Sequence, residues 1–130
     1  MKYGQFIATV RDMGEYQDRE ETERVTKAVL RVLGSRMTPQ SADHLAAQLP
    51  PPLDQAVRDG ADGRPDPFGI EEFYRRVGEA THGHYETAEW DAGAVLTTVA
   101  RTVSGGELNH VLSQLPSGYA PLFGKNELTD

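Results

Sequence analysis

The chain carries the same sequence pattern twice, with corresponding residues 66 positions apart. The matching segments are 28–33 (Ala-Val-Leu-Arg-Val-Leu) and 94–99 (Ala-Val-Leu-Thr-Thr-Val), 44–45 (His-Leu) and 110–111 (His-Val), and 48–50 and 114–116 (Gln-Leu-Pro in both). No insertion is needed to align the two copies. A repeat restricts the fold, because each copy is expected to form the same supersecondary unit. We therefore expect two similar halves.

The bulk composition excludes several classes of protein and of site. A chain of 130 residues is expected to form a single domain, 1–130, that buries a core without metals or disulfides. The net charge of −7 argues against nucleic acid and anionic membrane surfaces as partners, because both require clustered Lys and Arg. The chain has no cysteine, so disulfides, thiolate zinc sites and cysteine nucleophiles are excluded.

The N-terminal segment has no features of a targeting sequence. Residues 1–15 include Lys2, Arg11 and Asp12 and lack a continuous apolar run, so we expect no signal peptide. No apolar run approaches the roughly 20 residues that a membrane helix needs. We expect a cytoplasmic protein that does not enter the membrane.

The spacing of apolar residues predicts three helices in the first half. In the first helix they lie at i, i+3, i+4 and i+7, at Tyr3, Phe6, Ile7 and Val10. Asp18 is placed to cap the second helix, and Gly34 follows it as a favourable C′ residue. Thr38 and Pro39 open the third helix as N-cap and N1. Residues 53–57 are long enough for one further turn.

The second half repeats this plan. Its first helix has apolar residues at the same spacing, at Ile70, Phe73, Tyr74 and Val77. His84 stands at the position of the capping Asp18, and Ser104 with Glu107 forms a predicted capping box at the start of the last helix. The tail is apolar enough to pack on the helices through Tyr119, Leu122 and Phe123.

The predicted architecture is all-α: a six-helix bundle built from two pseudo-symmetric three-helix repeats. The first repeat covers residues 1–57, and the second covers residues 70–123 with its docked tail. Residues 58–69 are rich in Gly, Asp and Pro and form the predicted linker. Each helix has one apolar stripe and three of them bury little alone, so the two halves should share one core.

Several short segments, spread along nearly the whole chain, match a sequence pattern known from other proteins. They are residues 6–10, 28–33, 36–39 (Arg-Met-Thr-Pro), 46–50 (Ala-Ala-Gln-Leu-Pro), 104–108 (Ser-Gly-Gly-Glu-Leu), 114–116 and 119–123 (Tyr-Ala-Pro-Leu-Phe). In these segments the chain resembles a bacterial family catalogued as domain of unknown function 2267. The resemblance implies an all-helical cytoplasmic domain without an established activity. His84 and Trp90 depart from the family pattern, which usually has an acidic residue or Asn at the first position and a charged residue at the second.

Trp90 and its neighbours form the candidate partner- or ligand-binding site. At about 100° per residue, Trp90 lies almost opposite the apolar stripe of the fifth predicted helix. The outer face of this helix comprises Trp90, Gly93, Ala94, Thr97 and Arg101. Gly93 costs about 1 kcal/mol relative to Ala in a helix interior, which suggests close approach by another element. Either the linker or the tail covers this helix, or Trp90 anchors a binding surface.

No segment carries a catalytic or metal-binding motif. His82, His84, Glu86 and Asp91 could supply metal ligands, but a structural site needs about four ligands at defined spacing. A polar loop with His84 at a helix N-terminus accounts for these residues better. His44 and His110 occupy equivalent positions and are expected on solvated helix faces. We therefore assign no catalytic residue, no metal ligand and no cofactor.

Two functional hypotheses remain. The first is a non-enzymatic helical interaction module that binds a protein partner, or a second copy as a homodimer, through the outer face of the fifth helix. The alternative is a small-molecule-binding protein or enzyme with an apolar pocket between the two repeats, lined by Trp90, Tyr74 and Tyr85. The first predicts that Trp90→Ala weakens association without unfolding the monomer. The second predicts an enclosed cavity and quenching of tryptophan fluorescence by a ligand.

Overall fold

The computed structural model describes residues 1–124, and every regular element in this part of the chain is helical. The α-helices are α1 (Tyr3–Gly14), α2 (Arg19–Gly34), α3 (Pro39–Ala46), α4 (Leu53–Gly60), α5 (Ile70–Ala80), α6 (Ala88–Thr102) and α7 (Gly105–Ser113). Two 3-10 helices, Tyr85–Thr87 and Ser117–Phe123, precede α6 and follow α7. The all-α class expected from the sequence is confirmed.

The six expected helices correspond to α1, α2, α3, α5, α6 and α7. An additional helix, α4, replaces the single turn expected at residues 53–57, and it continues to Gly60. The first three residues of the predicted linker are therefore helical. Within residues 1–124, no helix combines the length and the apolar character needed to span a bilayer.

One hydrophobic core runs through both halves, and α2 and α6 lie at its centre. The largest fully buried side chains include Phe6, Leu30, Leu33, Leu45, Phe73, Leu96, Tyr119 and Phe123. Helix α6 contacts α1, α2, α5 and the 3-10 helix Ser117–Phe123. The first helix of each half is shared, because α1 packs on both α2 and α6, and α5 packs on both α6 and α2.

Two of the predicted helix starts are confirmed, and a third differs. The side chains of Asp18 and Thr38 accept the backbone N–H groups three residues further on, at 2.8 and 3.1 Å. His84, at the position equivalent to Asp18, forms no capping hydrogen bond. The chain first makes the 3-10 turn Tyr85–Thr87, and α6 begins only at Ala88.

The capping box predicted at the start of α7 is only half present. Ser104 Oγ accepts the N–H of Glu107 at 3.1 Å, as expected. The Ser104 N–H is bound instead by Gln48 Oε1, at 2.7 Å, from the other half of the chain. The Glu107 carboxylate is consequently free to turn inward, where it is buried.

Two glycines allow α2 and α4 to pack closely. A Cβ atom on Gly34 would overlap the carbonyl oxygen of Val57, and one on Gly60 would overlap that of Arg31. Gly34 is the last residue of α2 and has no left-handed backbone, so the C′ role expected from the sequence is wrong. Its small size serves the contact with α4 instead.

The predicted linker is anchored in the core by Phe68. The Phe68 side chain is buried, and its carbonyl oxygen accepts the hydroxyl of Tyr119 at 3.0 Å. The guanidinium groups of Arg36 and Arg76 lie over the Phe68 ring, with Cζ 5.4 and 4.0 Å from the ring centroid. Residues from both halves therefore hold this end of the linker.

Gly60→Ala is expected to lower the free energy of unfolding by about 1–3 kcal/mol, because the added methyl group meets backbone atoms of α2 that cannot move independently. Urea denaturation measures the change. Gly4→Ala is the matched control, since a Cβ atom on Gly4 meets no atom within 4 Å and Ala favours the helix. Equal losses in the two variants would contradict the close-packing argument.

Candidate functional site

Trp90 occupies the first turn of α6 and is both exposed and held in place. Its side chain is 54% exposed, which makes it the most exposed large hydrophobic side chain in residues 1–124. The indole Nε1 donates a hydrogen bond of 2.9 Å to the carbonyl oxygen of Gly14, at the C-terminal end of α1. This bond satisfies one of the carbonyl groups that the last turn of a helix leaves without a partner. It also fixes the orientation of the indole ring.

Four of the five predicted site residues line one open groove, which we call the α6 groove. They are Trp90, Gly93, Ala94 and Thr97, and the groove also includes Met13, Tyr74, Glu86, Glu89, Pro121 and Leu122. Its volume is about 570 Å³. The fifth predicted residue, Arg101, is exposed near the end of α6 and does not line the groove.

Gly93 and Thr97 differ in what covers them. A Cβ atom on Gly93 would meet no atom within 4 Å, so the close approach expected from the sequence is not made by any described part of this chain. Thr97 Oγ1 donates a hydrogen bond of 3.0 Å to the carbonyl oxygen of Leu122. The tail thus covers α6 at Thr97 and leaves it open at Gly93.

The rim of the α6 groove is acidic. Glu86 and Glu89 line it and are exposed. The pKa of Tyr74 in the same groove is raised, chiefly by burial and further by the negative charges of Glu89 and Glu71. An apolar groove with this rim favours ligands that carry positive charge.

A second concavity, the Tyr16 cleft, lies on the opposite side of Trp90 between the two halves. It has a volume of about 420 Å³ and lies between the end of α1, the outer face of α2, the α5–α6 connection and the start of α6. Its charged and titratable lining residues are Glu15, Tyr16, Glu21, Arg24, Lys27, Arg31, His82, His84 and Asp91. The lining is mixed rather than apolar. Tyr74 lines the α6 groove instead, and Tyr85 lines neither concavity.

Asp91 is a buried acid on the wall of this cleft. It is 3% exposed, and its two carboxylate oxygens accept hydrogen bonds from Tyr16 Oη at 2.6 Å and Thr87 Oγ1 at 3.0 Å. Burial and the bond to Asp91 raise the pKa of Tyr16 well above its ordinary value of 10.0. The Tyr16–Asp91 contact joins the end of α1 in the first half to α6 in the second half.

Sequence analysis did not find this pair, although one signal was present. Asp91 shares the buried side of α6 with Ala88 and Val95, three and four residues away, and an acid on an apolar stripe implies a specific partner. The partner could not be identified, because Tyr16 lies 75 residues earlier in the chain.

The four histidines of the chain fall into two pairs. His82 and His84 are exposed and line the Tyr16 cleft, but no group of three or more His, Cys, Asp or Glu side chains within residues 1–124 is placed to hold a metal ion. His44 and His110 are exposed, as expected, but they also meet, with ring centroids 6.4 Å apart. This contact of two equivalent residues was not predicted.

Comparison with known proteins identifies the family. A family model described as "Uncharacterized conserved protein (DUF2267)" matches residues 3–122. The chain belongs to this family. The match to DUF2267 covers every α-helix and both halves of the chain. It confirms the resemblance carried by the sequence segments. No curated protein matches the chain.

Tyr16→Phe is expected to change stability in a pH-dependent manner. At neutral pH it removes one donor from buried Asp91, which should lower the free energy of unfolding by about 1–3 kcal/mol. In the folded protein the pKa of Tyr16 is raised above its ordinary value of 10.0. The protonated hydroxyl therefore stabilises the fold fully below about pH 10, and this stabilisation is lost as the pH rises toward the pKa of Tyr16 in the folded protein.

Urea denaturation between pH 7 and 11 checks this expectation. The wild-type free energy of unfolding should fall more steeply above pH 10 than that of Tyr16→Phe, so that the two curves converge. The pKa of Tyr3 is also raised, to about 12, but Tyr3 is present in both proteins and cancels in the comparison. Parallel curves would show that folding does not change the pKa of the Tyr16 hydroxyl.

Proposed function

We propose that this protein is a non-enzymatic interaction module whose α6 groove binds an apolar, positively charged helical segment of a partner protein. The single observation that carries the proposal is Trp90, which is 54% exposed yet held by its hydrogen bond to Gly14. A side chain that is ordered before binding loses little conformational entropy on association. Tryptophan is also among the residue types that most often anchor interfaces.

The shape of the groove allows a partner helix to approach closely. Gly93 and Ala94 lie beside Trp90 and offer no large side chain, so a partner can approach the backbone of α6 closely. Tyr74 and Leu122 add apolar surface on the flanks. A partner side chain placed next to Trp90 would be covered on several sides, as the central residues of interfaces are.

The charge of the groove supports a basic partner rather than a second copy of this chain. Glu86 and Glu89 lie on the rim, and the whole chain has a net charge of −7. A homodimer through this face would bring two acidic rims together, and like charges across an interface are unfavourable. Lys or Arg residues flanking the apolar residues of a partner would instead pair with the rim.

The groove supports binding better than catalysis. The charged side chains that line it are Glu86 and Glu89, and both are exposed. The Thr97 hydroxyl is already donated to the Leu122 carbonyl oxygen. No nucleophile beside a base, of the kind that covalent catalysis requires, is present among the lining residues.

We further propose that the two halves are related by a pseudo-twofold axis. Equivalent helices pair across it, α2 with α6 and α3 with α7, and α1 packs on α6 as α5 packs on α2. The rings of the equivalent residues His44 and His110 lie 6.4 Å apart, as expected for residues close to such an axis. A superposition of residues 3–46 on residues 69–112 tests this relation.

Binding of a designed peptide tests the proposed function. The probe is a fluorescently labelled amphipathic peptide of about 14 residues, with Leu at i, i+3, i+4 and i+7 and Lys elsewhere. Trp90→Ala is expected to weaken binding by roughly 30-fold, which corresponds to about 2 kcal/mol at an interface anchor. Gly93→Ala should weaken binding, because the methyl group fills the open space in the groove. It should also raise the free energy of unfolding by up to about 1 kcal/mol, because Ala is more favourable than Gly in a helix interior.

Three controls separate the groove from general charge attraction. A peptide with Glu in place of every Lys should not bind. Glu89→Gln should weaken binding more than Glu20→Gln, which makes the same charge change at an exposed position of α2. Equal affinity in Trp90→Ala, Gly93→Ala and wild type would refute the proposal. A dimer in sedimentation experiments that Trp90→Ala abolishes would replace the basic partner with a second copy.

A further inference from the structure

The Tyr16 cleft lies where the two copies of the repeat meet, and equivalent residues line it from both sides. The pairs with the largest difference in chemistry are Tyr16 and His82, Arg24 and Trp90, and Val25 and Asp91. Several buried residues are alike in the two copies, such as Ala28 and Ala94, Val29 and Val95, and Leu30 and Leu96. Corresponding positions of the two copies therefore supply chemically different side chains to the cleft. Its volume of about 420 Å³ lies within the range of small-molecule sites.

One end of the cleft is acidic and contains a carboxylate without a cationic partner. Asp91 is 3% exposed and is bound only by the hydroxyl groups of Tyr16 and Thr87, and no ion pair among residues 1–124 includes it. Burying a carboxylate away from cations is unfavourable. Glu15 and Glu21 line the cleft as well. A ligand cation at this end would compensate these charges.

Two aromatic rings belong to the acidic end. Tyr16 is bound to Asp91, and Trp90 is bound to Gly14, next to Glu15. Both rings line the cleft. An ammonium group near the face of Trp or Tyr is attracted by the ring quadrupole. The acidic end thus offers charge and aromatic surface to the same cation.

The other end of the cleft is basic. Arg24, Lys27 and Arg31 lie on one face of α2 and line the cleft. At about 1.5 Å per residue, Lys27 and Arg31 lie roughly 9 and 15 Å along the helix axis from Glu21. The sign of the charge therefore changes along the cleft, within the length of a small molecule.

We propose that the Tyr16 cleft binds a small zwitterion whose ammonium and carboxylate groups are several bonds apart, as in an ω-amino acid. Its ammonium group lies among Asp91, Tyr16 and Trp90, and its carboxylate group lies near Lys27 and Arg31. This site is distinct from the α6 groove, because Asp91 and Lys27 line only the cleft, whereas Glu89 and Gly93 line only the groove. Trp90 separates the two.

Titration with 6-aminohexanoate tests the proposal, and emission of Trp90, the only tryptophan in the chain, is the readout. Saturable change in the emission and a rise in Tm are expected. Hexylammonium and hexanoate carry the two charges separately, and each should bind about tenfold more weakly than the zwitterion. Glycine, which is too short to reach both ends, should also bind more weakly.

Variants of the cleft and of the groove distinguish the two sites. Asp91→Asn and Lys27→Gln are each expected to weaken binding of 6-aminohexanoate about tenfold. Glu15→Gln, at an exposed position of the acidic end, tests the ammonium contact if Asp91→Asn does not fold. Glu89→Gln should weaken binding of the basic peptide and leave binding of the zwitterion unchanged. The proposal is overturned if hexylammonium or hexanoate alone binds as tightly as the zwitterion, if no probe binds saturably, or if the cleft variants bind like wild type.

Discussion

The guanidinium group of Arg36 is buried where the linker, the end of α7 and the tail meet. Arg36 is 8% exposed, and its Nη atoms donate to the carbonyl oxygens of Asp66 and Gln114 at 3.2 and 3.4 Å. It also lies over the rings of Phe68 and Tyr119. A buried cation is tolerated only when such partners replace water, so the positions of these four residues are coupled. Burial raises the pKa of Tyr119 to about 12, although the positive charge of Arg36 opposes this shift.

The candidate sites depend on this junction through the tail. Once Tyr119 is held by Phe68 and Arg36, the following residues cross α6, and Leu122 accepts the hydroxyl of Thr97. The tail therefore limits the α6 groove at one end and leaves Trp90 and Gly93 open at the other. On the far side of Trp90, the Tyr16–Asp91 bond fixes the start of α6 against the end of α1. One helix thus presents two concavities of different chemistry.

The features that could be predicted from the sequence are those determined within a few residues. The apolar stripes and the caps at Asp18 and Thr38 are of this kind, and so is the common face of Trp90, Gly93, Ala94 and Thr97. Helical periodicity also places Arg101 on this face. Arg101 nevertheless lies outside the groove, because the tail crosses α6 at Thr97 and limits the groove there.

Features that depend on distant contacts were missed. The bond from the Ser104 N–H to Gln48 and the bond from Tyr16 to Asp91 join residues 56 and 75 positions apart. Gly34 and Gly60 were not assigned to packing, because the position of α4 against α2 is not a local property. In each case only the tertiary structure identified the contacting partner.

The sharing of α1 and α5 between the halves determines how the chain would fold if it were cut into two fragments. Because α1 covers α6 and α5 covers α2, neither half encloses its own apolar surface. Gly63 lies between the halves, is exposed, and has a left-handed backbone with φ of 107° and open space around it. A break in the chain at this point would leave two fragments that each lack one wall of the core. Such fragments would fold by complementation, with each supplying the helix that the other needs.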